Sequence, residues 1–158
     1  MDGMPTGDQK MHHYLGVELH NQAWNLMEKE DRTEKDDRRM EQFALGSLFH
    51  WKHSPKYEPL NSQRGEWILA RVYSHLGNGR AALAHAQECM KLTVEHQIRD
   101  FDLAFAHEAM ARALAFSGKA EESMSSRNSA KEAADGIAKR EDRDYFLGNL
   151  EKGPWPKP

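Results

Sequence analysis

The sequence predicts an all-α protein built of antiparallel helical hairpins, six or seven helices stacked around one core. Three observations carry that prediction. Apolar residues recur with a period close to 3.6 along almost the whole chain. Valine and isoleucine, the usual material of strands, are nearly confined to Val17, Ile68, Val72, Val94, Ile98 and Ile137. Glycines stand where apolar stripes stop, Gly77 and Gly118 above all, in the place where a helix end wants a left-handed residue.

The first helix is expected over about 8–29, with Leu15, Leu19, Ala23, Leu26 and Met27 as its stripe. The charged run EKEDRTEKDD then reads as a solvated turn. Thr33 or Asp36 can cap a second helix over 34–52, whose Met40, Phe43, Ala44, Leu48 and Trp51 mark a buried face. Pro55 and Pro59 forbid its continuation, and HSPKYEPLN becomes a packed loop.

Asn61 or Ser62 is expected to start a third helix, 61–76, which presents Trp67, Ala70, Tyr73 and Leu76 before Gly77 ends it. Gly79 reads as a second permissive joint. The fourth helix, 79–96, carries Ala82, Leu83, Ala86, Met90 and Val94, and its small residues let a neighbouring helix approach. Asp100 or Asp102 caps a fifth over 101–117, and a sixth follows over 119–139 with Met124, Ala130, Ala133, Ala134 and Ile137. A short seventh near 141–151 carries Tyr145, Phe146 and Leu150 and suits a cap over the end of the stack.

These elements make one domain over 8–152, with residues 1–7 expected to be disordered and 153–158 a Pro-rich tail that orders only if Trp155 docks. A chain of 158 residues can bury a core without staples. Its one cysteine, Cys89, has no partner within the chain and reads as a small buried hydrophobe, which suits a reducing cytoplasm. No signal peptide is recognisable at the start, and no run approaches the ~18 apolar residues of a membrane span. With 22 Lys and Arg against 25 Asp and Glu, the formal charge of −3 offers no field to hold nucleic acid.

Aligning Gly77 with Gly118 sets two units 41 residues apart in register. Leu69-Ala70 then falls on Met110-Ala111, Tyr73 on Leu114, Ala82 on Ser123 and Cys89 on Ala130. The pattern, over about 63–137, resembles the tetratricopeptide repeat: a large residue followed by a small one, a bulky residue one turn on, a turn glycine, then small residues on the second helix. The period of 41 exceeds that family's usual 34, the excess lying around EHQIRDF. Residues 8–52 match the pattern weakly. More loosely, NQAWNLMEKEDRT, LFHW, RGEWILARVY and DFDLAFAHEAMARA resemble an uncharacterised group of short bacterial proteins. The resemblance implies hairpins wound into a short right-handed superhelix, with no activity implied.

It also implies that the first helix of each hairpin lines a concave groove. On this sequence that puts Arg64, Trp67, Arg71 and Ser74 on one surface and Phe105, Glu108, Arg112 and Ala115 on the next. Arg71 and Arg112, in register and flanked by Trp67 and Phe105, would suit an acidic peptide or a carboxylate- or phosphate-bearing molecule. The plainer alternative is an ordinary Glu108–Arg112 pair one turn apart, with Arg71 reaching water.

The first expectation is thus a scaffold that binds a protein or peptide in the groove through Arg64, Trp67, Arg71, Phe105, Glu108 and Arg112. The second is a small-molecule-binding protein or enzyme in the same place, where Glu108 or Asp102 would be the base; Glu66 is a third nearby carboxylate. No catalytic residue, metal or cofactor is assigned. Nine histidines, among them His12, His13, His20, His50 and His53, lack a metal-site spacing and read as scattered packing or surface residues. Gly77-Asn78-Gly79 follows a helix and lacks the residues of a phosphate loop. Homodimerisation through an exposed end follows if the seventh segment does not cap the stack.

Overall fold

A computed structural model describes Gly3 and residues 6–157. Among them are seven helices and no strand: α1 (Gly7–Glu28), α2 (Glu34–Lys52), α3 (Pro59–His75), α4 (Gly79–Glu95), α5 (Phe101–Phe116), α6 (Ala120–Asp135) and α7 (Arg140–Glu151). Consecutive helices pair as hairpins, α1 with α2, α3 with α4 and α5 with α6, and α7 lies on α5 and α6. No helix among the described residues is long and apolar enough to cross a membrane.

Helix ends follow local chemistry. Thr6 and Thr33 cap α1 and α2 through reciprocal bonds with Gln9 and Asp36. Of the segment 1–7, Thr6 and Gly7 therefore belong to the start of α1, and Met1, Asp2, Met4 and Pro5 lie outside the described residues. α3 starts earlier than Asn61 or Ser62: Pro59 occupies its first turn, where no N–H is needed, and Asn61 returns a bond to the backbone of Glu58. Gly77 and Gly118 close α3 and α5 at φ of +70° and +75°, the left-handed conformation that an L side chain resists. Gly79 has a different role from the permissive joint expected. Its Cα abuts the Phe116 carbonyl at the end of α5, so a Cβ there would collide with main chain. α6 stops at Asp135, and Ile137 beyond it turns into the core.

The core forms in three clusters that follow the hairpins. Met27, Met40, Ala44 and Leu48 meet Ile68, Leu69 and Val72 between α1, α2 and α3. Ala70, Ala82, Ala86, Ala109 and Ala113 form a close alanine contact between α3, α4 and α5. Phe105, Ala130, Ala134, Ile137, Phe146 and Leu150 fill the far end. Ile68, Leu69, Phe146 and Leu150 are fully buried, each contributing about 1.5–3 kcal/mol through the water it leaves. Trp67 borders all three clusters.

Residues 7–52 close as a hairpin without a turn glycine. The Trp51 ring lies on Gly16, and the Ser47 hydroxyl donates to the Gly16 carbonyl at 2.6 Å. The tail is ordered as well: Trp155 donates from Nε1 to the Leu150 carbonyl at 3.0 Å, and its ring lies 4.4 Å from the Arg112 guanidinium and 4.5 Å from that of Arg127.

Candidate functional site

α3 runs through the middle of the molecule, touching α1, α2, α4 and α5. Residues 63, 64, 67, 71 and 75, at helical spacing, line a concave channel walled by α1 on one side and by α7 with the tail on the other. Of the six residues singled out for the groove, Arg64, Trp67, Arg71 and Phe105 line it, whereas Glu108 and Arg112 are fully buried and line neither end.

Arg64 reaches from α3 to α5 and grips Asp102 with two parallel bonds of 2.9 and 3.0 Å at the channel mouth. That hydrogen bonding raises the Arg64 pKa above its ordinary value. Phe105 meets Trp67 edge to face at 5.1 Å, and Trp24 of α1 lies tilted on the other side of the same indole at 5.7 Å.

Beneath these rings Glu108 is wholly buried and accepts from three donors: Trp67 Nε1 at 3.0 Å, Arg71 Nη1 at 3.4 Å and Arg112 Nε. The two arginines set 41 positions apart therefore converge on one carboxylate. Arg112 is spent within the chain. Its remaining amines donate to the carbonyls of Asn149, Lys152 and Pro154, so the guanidinium caps the carbonyl end of α7 under the Trp155 ring. The Glu108–Arg112 pair one turn apart is present, but sealed from water.

Arg71 is less completely served. It is 5% exposed, lies 5.4 Å from the Trp24 ring and 5.9 Å from that of Trp67, and donates to Asn149 Oδ1 at 3.3 Å. Its Nε has no partner among the described residues. Burial lowers its pKa from the usual arginine value, offset in part by Glu108.

Two cavities open along the channel, and both border Trp24. The first, about 340 Å³, is walled by Trp24, Trp67, Phe101, Phe105 and Tyr145, with His20, Asn21 and the Arg64–Asp102 pair as its polar edge. Burial, then the Arg64 charge, lowers the His20 pKa, which favours a neutral ring there. The second, about 660 Å³, lies beyond Trp24 toward Arg71, His75 and Lys152. Sequence reasoning missed the wall that α1 provides. Trp24 reads equally well as a core residue, and nothing local says that His20 and Asn21 turn toward α3.

The two carboxylates expected as a base, and Glu66 near them, are each committed to a basic partner: Asp102 to Arg64, Glu108 to two arginines, and Glu66 to His85 Nδ1 at 2.6 Å. Cys89 is fully buried in α4, and burial pushes its thiol pKa well above the ordinary value. His12 and His50 meet through Nδ1 at 2.8 Å, His53 lies 5.4 Å from the His12 ring, and His13 bonds Ser54. Among the described residues no group of three or more metal-ligating side chains is placed to hold an ion. No protein-family model, no curated protein and no solved structure matches this chain.

Proposed function

We propose that this chain is a binding module of tetratricopeptide-like type that seats a short segment of a partner protein in the channel between α1 and α7, with an apolar side chain of that segment in the aromatic cavity. The observation that carries the reading is the wall of five aromatic rings around about 340 Å³, with its polar groups at His20, Asn21, Gln63, Arg64 and Asp102, alongside a channel that continues past it. Cavities of a few hundred Å³ with apolar walls and a handful of directing polar groups are the usual form of ligand sites. From residue 63 to residue 75 the α3 stripe rises about 18 Å. That length matches about five or six extended residues. Side chains at both ends of such a segment would meet different chemistry, rings first and cations beyond. Arg64 and Asp102 serve as the polar rim, while Glu108 and Arg112 hold the floor rather than touch the ligand. A cytoplasmic setting belongs to the same reading, supported by the buried free thiol of Cys89.

A small-molecule ligand is the second reading, favoured by Trp24, which stands between the two cavities and leaves the first as a small aromatic chamber of its own. Selection from a display library of short random peptides on the purified chain tests the first. The exposed Asn21 stands at the cavity edge, so Asn21→Trp should plug it without touching the core. Peptides enriched on the parent chain and lost on the Asn21→Trp variant support the segment reading. No enrichment, or enrichment that Asn21→Trp leaves intact, overturns it.

A further inference from the structure

The second cavity has a chemistry of its own. Two of its wall residues carry buried nitrogens without partners, Arg71 Nε and His75 Nε2. Both are donors. Arg32 Nη2 lies 3.4 Å from His75 Nδ1, and a guanidinium can only donate, so Nδ1 must accept and the ring proton of neutral His75 sits on Nε2. His75 is held neutral: burial, then the charges of Arg71, Arg32 and Arg112, lowers its pKa to about 3. Three arginines acting on that ring in the same direction mark a positive local field.

The ion pairs leave that field uncompensated in the interior. Glu108 is one carboxylate between two guanidiniums, and Arg112 is the better served of them. Lys29 and Arg32 are matched by Asp36 and Asp37. Lys152 stands at the rim opposite Glu28 and Glu30, and all three are exposed. The buried wall is therefore cationic and short of acceptors, whereas the acidic groups nearby are solvated. Buried donors without acceptors cost on the order of 1–3 kcal/mol each, which an anionic oxygen in the cavity would recover.

We propose that the second cavity is an anion site, where a carboxylate or phosphate group of the ligand accepts from Arg71 and His75 and is faced by Lys152. The site rests on the channel reading above, and the two can fail separately. The full chain, labelled with nitrogen-15, is titrated at constant ionic strength with inorganic phosphate, with acetate, and with chloride as control. Phosphate or acetate should give saturable shifts at the Trp24 indole N–H and the Arg71 Nε–H, and the anion that saturates identifies which group the ligand bears. Arg71→Met should abolish them. Because that variant removes a buried ion-pair partner, Lys152→Glu provides the folded control: it alters only an exposed side chain and should weaken the anion about tenfold. Glu28→Gln should tighten it. Shifts that never saturate, that chloride reproduces, or that Lys152→Glu leaves unchanged overturn the site. Peptide binding that survives such a failure keeps the channel reading; saturable anion binding without any selected peptide removes the channel reading alone.

Discussion

Replacing Glu108 with Gln keeps the shape of the side chain and removes its charge, leaving Arg71 and Arg112 buried together with no carboxylate between them. Arg112 would retain its three carbonyl acceptors, whereas Arg71 would be left with neutral acceptors alone, Asn149 Oδ1 at 3.3 Å and the one amide oxygen of the new side chain, whose NH2 must face a donor. Breaking a buried ion pair from one side costs about 3–5 kcal/mol, because the surviving charges stay desolvated. For a chain of this size each kcal/mol lowers the melting temperature by about 2–4 °C, so Glu108→Gln should melt on the order of 10 °C below the parent. Urea unfolding followed by circular dichroism measures the loss. Arg71→Met, alone and combined with Glu108→Gln, completes a cycle. Removing Arg71 should cost less in the Glu108→Gln background than in the parent, since it then removes a repulsion. A loss below about 1 kcal/mol for Glu108→Gln, or costs that simply add, would refute the idea that this one carboxylate holds both guanidiniums.

Two further outcomes follow from the same structure. Gly79→Ala should destabilise by roughly 1–3 kcal/mol, since the new Cβ meets the Phe116 carbonyl and forces α4 from α5; an unchanged urea midpoint would show that the contact yields. His75 makes stability depend on acidity: burial and its arginine neighbours hold its folded pKa at about 3, below the ordinary histidine value of 6.5. Above pH 6.5 neither state binds the proton, between 6.5 and 3 only the unfolded state does, and stability therefore falls as pH drops through that window and levels off below it. In His75→Gln that limb should be shallower, as read from urea midpoints between pH 7.5 and 3.5; identical limbs would exclude the histidine as a source.

The fold was legible because its signals are local. Apolar spacing and capping side chains lie within a turn or two of what they specify, and Gly77 and Gly118 announce helix ends by the φ they alone adopt cheaply. The start of α3 was misread because Pro59 stops one helix and opens the next, and a proline carries no mark of which it does. Within the site, helical spacing on α3 and α5 is enough to bring Arg64, Trp67, Arg71 and Phe105 to the channel, but it does not say that Glu108 and Arg112 are buried away from it. What closes around them was not legible. Arg71 meets Asn149 across 78 residues and Arg112 meets Pro154 across 42, and no periodicity encodes such pairings. The small charged helix and Pro-rich tail that supply those groups read from sequence as a cap and as a segment that orders only if Trp155 docks, with no sign of the acceptors they bring.

The position of those acceptors also sets an order in time. A chain made from its N-terminus presents α1 to α6 before the residues that satisfy Arg112, the carbonyls of Asn149, Lys152 and Pro154 and the ring of Trp155. Until they emerge, a guanidinium destined for full burial has only Glu108, and the water around it must stay. The first two hairpins can dock early, while the third remains wet and unsealed until α7 and the residues just after it have emerged. Residues 149–155 are thus the stopper of the structure, and a nascent chain halted just before Asn149 would hold Arg112 open to solvent on an otherwise assembled body.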